Sequence, residues 1–183
     1  MLDMILSADR AILLFLQNFV RMPALNAVMI FLTKLGDKGA VWLAFGIALC
    51  FVKKYRKSGI YIVSSIAFCF IINNLILKNL VMRPRPYDEI PALVPLVPKL
   101  FDSSFPSGHS CASFAAAYAI SHEFRGYGIL SYIPAVLISL SRLYVGVHYP
   151  TDVIVGALTG FFGSLLFFEV IVPRIEKLKH KGQ

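Results

Sequence analysis

His148 and Asp152 stand four residues apart, and His109 lies in the turn Phe105-Pro106-Ser107-Gly108-His109-Ser110. These side chains have the types and spacing for covalent chemistry. If a helix begins near Pro150, Asp152 falls in its first turn, a favourable place for a carboxylate, with His148 just before it. One ring nitrogen of His148 can then donate to Asp152, which fixes the tautomer and frees the other nitrogen as a nucleophile. On the plainer reading, Asp152 only caps its helix. The Phe105–Ser110 turn offers the Ser107 hydroxyl, the flexible Gly108 amide and the His109 imidazole at a helix start, where backbone N–H groups can receive an anion. By itself that turn also reads as a cap. Two imidazoles suit covalent phosphoryl transfer: one attacks phosphorus in line and the other protonates the departing oxygen. No Cys/His cluster has metal-ligand spacing and the carboxylates are scattered. The expected chemistry is therefore metal-free, passes through a phosphohistidine and needs no cofactor.

Three cations fit the same picture. Lys78 follows Asn74 by one helical turn at the end of an apolar run, where it could equally be an interfacial anchor. Arg85 is bracketed by Pro84 and Pro86, which hold its backbone extended. Arg142 closes another apolar run, directly after Ser141. Three clustered cations repel one another, and an anion between them removes that penalty. Phosphate matches best, because arginine offers paired donors and lysine a compact charge. His122 and His180 read as ordinary loop and tail residues.

These groups sit in a very apolar chain. Of 183 residues 57% are hydrophobic and 15% charged, and the mean hydropathy is +0.71. Soluble domains average roughly 25% charged. Apolar runs recur between basic loops, as in a polytopic membrane protein. The net charge of +8 does not indicate nucleic acid, because the basic residues do not form a stripe on a soluble face. Lys53-Lys54-Tyr55-Arg56-Lys57 and residues 174–181 lie between or after apolar runs, as anchors facing anionic lipid. Cys50, Cys69 and Cys111 read as small core residues. Asp3 precedes any basic residue and Asp9-Arg10 interrupts the first apolar run, so no cleavable signal peptide is expected.

The expected fold is all-α: a polytopic membrane bundle of about five transmembrane helices, preceded by short interfacial helices. Residues 1–38 are the amphipathic N-terminal part, 39–173 a single membrane-embedded domain and 174–183 a basic cytoplasmic tail. The spans fall near residues 40–52, 59–77, 107–120, 129–140 and 151–172. Residues 81–106 carry too many prolines for a regular helix, and a connection of that length is usually functional. Gly156 and Gly160, four apart, form a small-residue seam for close helix packing. Placing the basic loops inside puts the proline-rich connection, the 145–150 turn and every candidate site residue on the extracytoplasmic face.

Lys78 with Arg85-Pro86, then Pro106-Ser107-Gly108-His109, then Ser141-Arg142 with His148 and Asp152, resemble in order and spacing the three motifs of the type 2 phosphatidic acid phosphatase (PAP2) superfamily. The resemblance covers residues 78 to 152. It implies a helical core like that of the lipid phosphatases and vanadium haloperoxidases. Lys78, Arg85 and Arg142 would bind phosphoryl oxygens with Ser107 and the Gly108 amide, and Ser141 would support the site. His148 would be the nucleophile oriented by Asp152, and His109 the general acid and then base. The expected activity is a metal-independent lipid phosphatase of the cell membrane. The expected substrate is undecaprenyl diphosphate, as for the small bacterial diphosphatases that the chain resembles, with phosphatidylglycerol phosphate or phosphatidate next. A lipid phosphotransferase and a non-catalytic transporter or scaffold remain alternatives.

Overall fold

A computed structural model describes residues 2–181, with side chains over residues 3–178. Among the described residues every regular element is helical. The central one is α7 (Gly108–Glu123; the helices are numbered α1 to α10 in chain order). Its many small residues are buried, among them Ser110, Ser113, Ala115, Ala116 and Ala119. Small side chains let backbones approach closely, and α9 (Pro150–Leu166) uses this. A Cβ on Gly156 would lie 2.4 Å from the Ser107 carbonyl oxygen, and one on Gly160 would lie 2.2 Å from that of Cys111. Only glycine fits at either place. The contact draws the first turns of α7 and α9 together, and the Ser107 amide donates to the Asp152 carbonyl at 3.0 Å.

Around this pair stand α3 (Ala40–Phe51), α4 (Arg56–Phe70) and α8 (Tyr132–Tyr144). Trp42 of α3 donates its indole N–H to Ser113 of α7 at 2.9 Å. Helix α4 runs through a π-helical turn (Ile71–Leu77) into α5 (Lys78–Val81), which ends at Met82 in left-handed backbone (φ 45). Three helical stretches are long and apolar enough to cross a membrane: Lys53–Glu89, Tyr127–Tyr144 and Pro150–Leu178. The expected count of five is not reached by length and composition, since α3 has 12 residues and α7 has 16. For α7 there is a physical reason: neighbouring helices wall it in, so it needs small side chains more than apolar ones. Phe45, Phe70, Ile133, Ile154 and Phe162 are exposed on the outside of the bundle, a surface that suits lipid and not water.

Three segments differ in detail from the sequence expectation. The proline-rich connection contains a one-turn helix, α6 (Pro86–Glu89), because Pro86 occupies its first position, where a missing N–H costs nothing. Cross-ties order the rest: Ser104 N–H donates to the Arg83 carbonyl at 2.8 Å, and the Tyr87 hydroxyl accepts from Leu100 N–H at 2.8 Å. Pro173 does not end the last helix. A π-helical turn (Phe167–Ile171) precedes it, and α10 (Val172–Lys181) continues through it. The side chain of His180 lies outside the described residues. At the other end of the chain, α1 (Leu2–Phe15) and α2 (Pro23–Leu35) pack directly on the bundle. Asp9 and Leu13 of α1 are buried, whereas its Met4, Ile5, Ile12 and Phe15 are exposed.

Candidate active site

The extended Arg83-Pro84-Arg85 segment, the last turn of α8, the 145–149 loop and the first turns of α7 and α9 converge at one end of the bundle. Arg85 and Arg142 are each 3% exposed, and the Lys78 side chain is 13% exposed. Arg85 donates through Nη1 to the Val147 carbonyl at 2.8 Å, and the same nitrogen is 3.2 Å from His148 Nε2. A guanidinium only donates, so that contact puts the lone pair of His148 on Nε2 and its proton on Nδ1, the nitrogen facing Asp152. Burial, then the charges of Arg85 and Arg142, hold the His148 imidazole well below its ordinary value. It is neutral at neutral pH, the state a nucleophile needs.

Asp152 is fully buried and firmly held. Its Oδ1 accepts from Arg83 Nη1 at 2.8 Å, and its Oδ2 accepts from the Tyr149 amide at 2.9 Å and from the Ser104 hydroxyl. It therefore does cap α9, as the plainer reading has it, while standing 3.5 Å from His148 Nδ1. Ser107 likewise caps α7: its hydroxyl accepts from the Ser110 amide at 3.4 Å. Ser141 donates back to the Ile138 carbonyl at 2.6 Å and is buried.

His109 Nε2 lies 2.9 Å from Asp37 Oδ1 and 3.2 Å from the Thr33 carbonyl. Both partners accept, so Nε2 carries a proton. The hydrogen bond to His109 holds the Asp37 carboxyl below the usual carboxylate range. Arg142 donates through Nη1 to the Thr33 hydroxyl, makes no ion pair among the described residues, and leaves its buried Nε without a partner. A buried guanidinium in that condition calls for an anion. Lys78 and Arg85 meanwhile share a carboxylate: Asp102 Oδ2 is 2.5 Å from Lys78 Nζ, and Asp102 Oδ1 is 2.6 Å from Arg85 Nη2. Burial pushes the Asp102 carboxyl up, but the hydrogen bond from Lys78 and the charge of Arg85 outweigh it and hold it at about 2.

A cavity of about 570 Å³ opens onto these groups. It is lined by Lys78, Arg85, Arg142, His109, His148 and the Gly108 backbone, and by the apolar Leu43, Ile66, Ala67, Phe70 and Ala112. Because Ile66, Ala67 and Phe70 precede Lys78 along one helical run, the apolar lining extends away from that cation. Ser107 and Ser141 stay behind its wall.

Residues 58–176 match the PAP2 superfamily. The chain belongs to that superfamily. It is similar to an undecaprenyl-diphosphatase of Sulfolobus acidocaldarius, with 36% identity over 84% of this chain and 74% of that one. Phosphatidylglycerophosphatase B of Bacillus subtilis is 33% identical over 90% of this chain and 82% of its own length. Among solved structures, that of Aquifex aeolicus LpxE superposes with a TM-score of 0.76 at 29% identity, covering 91% of this chain and 95% of that one. The PAP2 fold and membrane location are thereby established, and with them a hydrolase of phosphoric esters that acts on lipid.

All three PAP2 motifs meet at the end of this bundle. Other residues join them that sequence reasoning did not single out: Asp102, Ser104, Arg83, Asp9, Thr33 and Asp37. Arg83 had a signal, its place in Arg83-Pro84-Arg85-Pro86. Asp9 had a weaker one, a charge interrupting an apolar run. Nothing local marks Thr33 or Asp37, which reach the site only through tertiary packing of α2 and its following turn.

Proposed function

We propose that the protein hydrolyses a polyprenyl diphosphate, undecaprenyl diphosphate first, to the monophosphate and inorganic phosphate at the extracytoplasmic face of the cell membrane. The two-ended cavity carries this reading. Its cationic end suits a diphosphate, and its apolar end, between α3, α4 and α7, suits the start of a long hydrocarbon chain. The similarity to the Sulfolobus diphosphatase supports that substrate over phosphatidylglycerol phosphate.

In the reaction, Lys78, Arg85, Arg142 and the Gly108 amide neutralise and orient the terminal phosphoryl group. Asp102 leaves Lys78 and Arg85 as the phosphoryl oxygens arrive. His148 Nε2 attacks the terminal phosphorus while the bond to the bridging oxygen breaks. His109, entering the step as the imidazolium, delivers one proton to that oxygen and becomes the neutral imidazole, and the lipid monophosphate departs. The positive charge on the phosphorylated His148 ring is met by Asp152 facing Nδ1. His109 then takes a proton from water as the water attacks the phosphohistidine and the P–N bond breaks. This releases inorganic phosphate, leaves His148 neutral and returns His109 to the imidazolium.

In this reading α3, α4 with α5, α7, α8 and α9 are five crossings. Residues 39–173 form the phosphatase unit, 1–38 cover its outer end and 174–183 form the cytoplasmic tail. The deciding experiment is phosphate release in detergent, with chelator, across undecaprenyl diphosphate, phosphatidylglycerol phosphate and phosphatidate. Highest kcat/KM on the diphosphate is expected, and preference for phosphatidylglycerol phosphate overturns the substrate. Orientation is tested with Glu89→Cys and a membrane-impermeant thiol reagent on intact cells, where labelling only after lysis reverses it.

A further inference from the structure

The proposed reaction uses Asp152 to hold and stabilise His148, and Arg83 ties Asp152 in turn to Asp9 and Thr151. Arg83 lies across two buried carboxylates. Its Nη1 donates to Asp152 Oδ1 at 2.8 Å, and its Nη2 donates to Asp9 Oδ2 at 2.8 Å. Thr151 closes the ring: its hydroxyl accepts from Arg83 Nη1 at 2.7 Å and donates to Asp9 Oδ2 at 2.5 Å, while its amide donates to Asp9 Oδ1 at 3.1 Å. The guanidinium also lies over the Tyr149 ring, 3.7 Å from its centroid. Asp9 is 2% exposed and Asp152 is 0% exposed. None of these groups is among the residues that line the cavity.

A cation between two buried carboxylates leaves one net negative charge beneath the imidazole. Two like charges buried side by side repel strongly, and the guanidinium between them offsets that repulsion. Asp9 thus does more than anchor α1. It draws half of the guanidinium away from Asp152 and thereby sets how much negative charge Asp152 presents to His148. The bond from Arg83 to Oδ1, with those from the Tyr149 amide and the Ser104 hydroxyl to Oδ2, also fixes the carboxylate plane, so that Oδ2 is the oxygen set 3.5 Å from Nδ1.

We propose that Asp9 and Arg83 are positioning residues for the reaction, forming with Thr151 a relay that orients Asp152 and sets the basicity of His148. The N-terminal helix is then a working part of the site and not a cover over it. The proposal rests on His148 being the nucleophile.

A purely structural ion pair and a relay differ in their effect on the pH profile. The acid limb of kcat/KM follows protonation of His148, whose other charged neighbours are Arg85 before α6, Lys78 on α5, His109 on α7 and Arg142 on α8. Removing the negative charge of Asp9 leaves Arg83 and Asp152 as a neutral pair beneath the imidazole and moves that limb to lower pH. Removing the positive charge of Arg83 leaves two carboxylates and moves it to higher pH. Each shift is about half a pH unit or more for charges at this range in a buried site.

The test uses the full chain in detergent, undecaprenyl diphosphate as probe and phosphate release as readout, on Asp9→Asn, Arg83→Gln, Arg83→Lys and the Asp9→Asn/Arg83→Gln pair. Opposite shifts of the two single variants, with the pair returning towards wild type, are expected. Arg83→Lys keeps the charge but cannot span both carboxylates. Its limb stays in place while kcat falls towards about a hundredfold, the scale of a misplaced reacting group. If Arg83→Gln does not fold, the shift of Asp9→Asn to lower pH and the fall in kcat without a shift in Arg83→Lys decide the matter. Unmoved limbs, or shifts in one direction for both single variants, overturn the relay. His148→Ala separates the two proposals. Loss of turnover in that variant with unmoved limbs in the others discards the relay alone, whereas retained turnover discards the nucleophile.

Discussion

His148 Nδ1 and Asp152 Oδ2 stand 3.5 Å apart, within ion-pair range and without a hydrogen bond. Three donors already hold the carboxylate, so the ring is the partner left to move. In the proposed reaction the imidazole gains positive charge as Nε2 bonds to phosphorus, and the attraction to Asp152 grows at that moment. An interaction that strengthens on the way to the transition state lowers the barrier rather than merely tightening binding. Asp152→Asn is expected to cut kcat by about 10³–10⁴-fold, the scale seen when a catalytic histidine loses its carboxylate, with little change in KM. Steady-state phosphate release measures it. A loss below tenfold would reduce Asp152 to a helix cap.

Asp102 sits between Lys78 and Arg85, where the proposed reaction places phosphoryl oxygens. Its carboxyl, held at about 2, is depressed below the ordinary carboxylate value, so its ion pairs are complete above that value and are lost only as pH falls through about 2. No limb of the activity profile between pH 5 and 9 should therefore belong to it. Competition with the substrate is its measurable effect. Asp102→Asn should lower the inhibition constant of inorganic phosphate several-fold, because the anion no longer displaces a charged rival. An unchanged or raised constant contradicts this.

The sequence made the three PAP2 motifs legible because each is a short string whose members are fixed by local geometry. Pro84 and Pro86 set Arg85, the helix start sets Gly108 and His109, and Pro150 places Asp152 in a first turn. The same strings hold the two caps: Asp152 caps α9 while facing His148, whereas Ser107 caps α7 and is buried behind the cavity wall. Local pattern could not reveal α7 as a walled-in helix, since its small residues lower its apolarity while its neighbours shield it from lipid. Nor could it reveal that Asp9, Thr33 and Asp37 belong to the site, because α1 and α2 reach it only through packing across the outer end.

Asp37 and His109 pair at 2.9 Å, and the pair bears on the protonated half of the reaction. In the proposed reaction His109 carries a proton when the leaving oxygen departs, and the adjacent carboxylate favours that protonated ring. Asp37→Asn removes that charge, so the alkaline limb of kcat should move to lower pH. Asp37 is largely exposed, and folding should survive the change. The check is a kcat profile from pH 5 to 10, and an alkaline limb that stays in place shows that Asp37 does not serve His109.

Gly156 lets the Ser107 carbonyl come close to α9, and with it comes the backbone bond from Ser107 to Asp152. A Cβ at 2.4 Å from that oxygen meets backbone on both sides, so neither helix can yield by turning a side chain. Gly156→Ala should force α7 and α9 apart and destabilise the protein by about 1–3 kcal/mol, the usual penalty of overpacking. Because the displaced atoms belong to two motifs at once, kcat should fall further than the loss of folded protein explains. Gly126→Ala serves as the comparison: it has φ +84 and no atom within 4 Å of the added carbon. That variant carries only local backbone strain at the opposite end of α7 and should keep kcat while losing some thermal stability. Thermal unfolding and turnover per folded molecule, measured on both variants, separate the two effects. Equal kcat in the two would show that close approach of α7 and α9 is needed for folding alone.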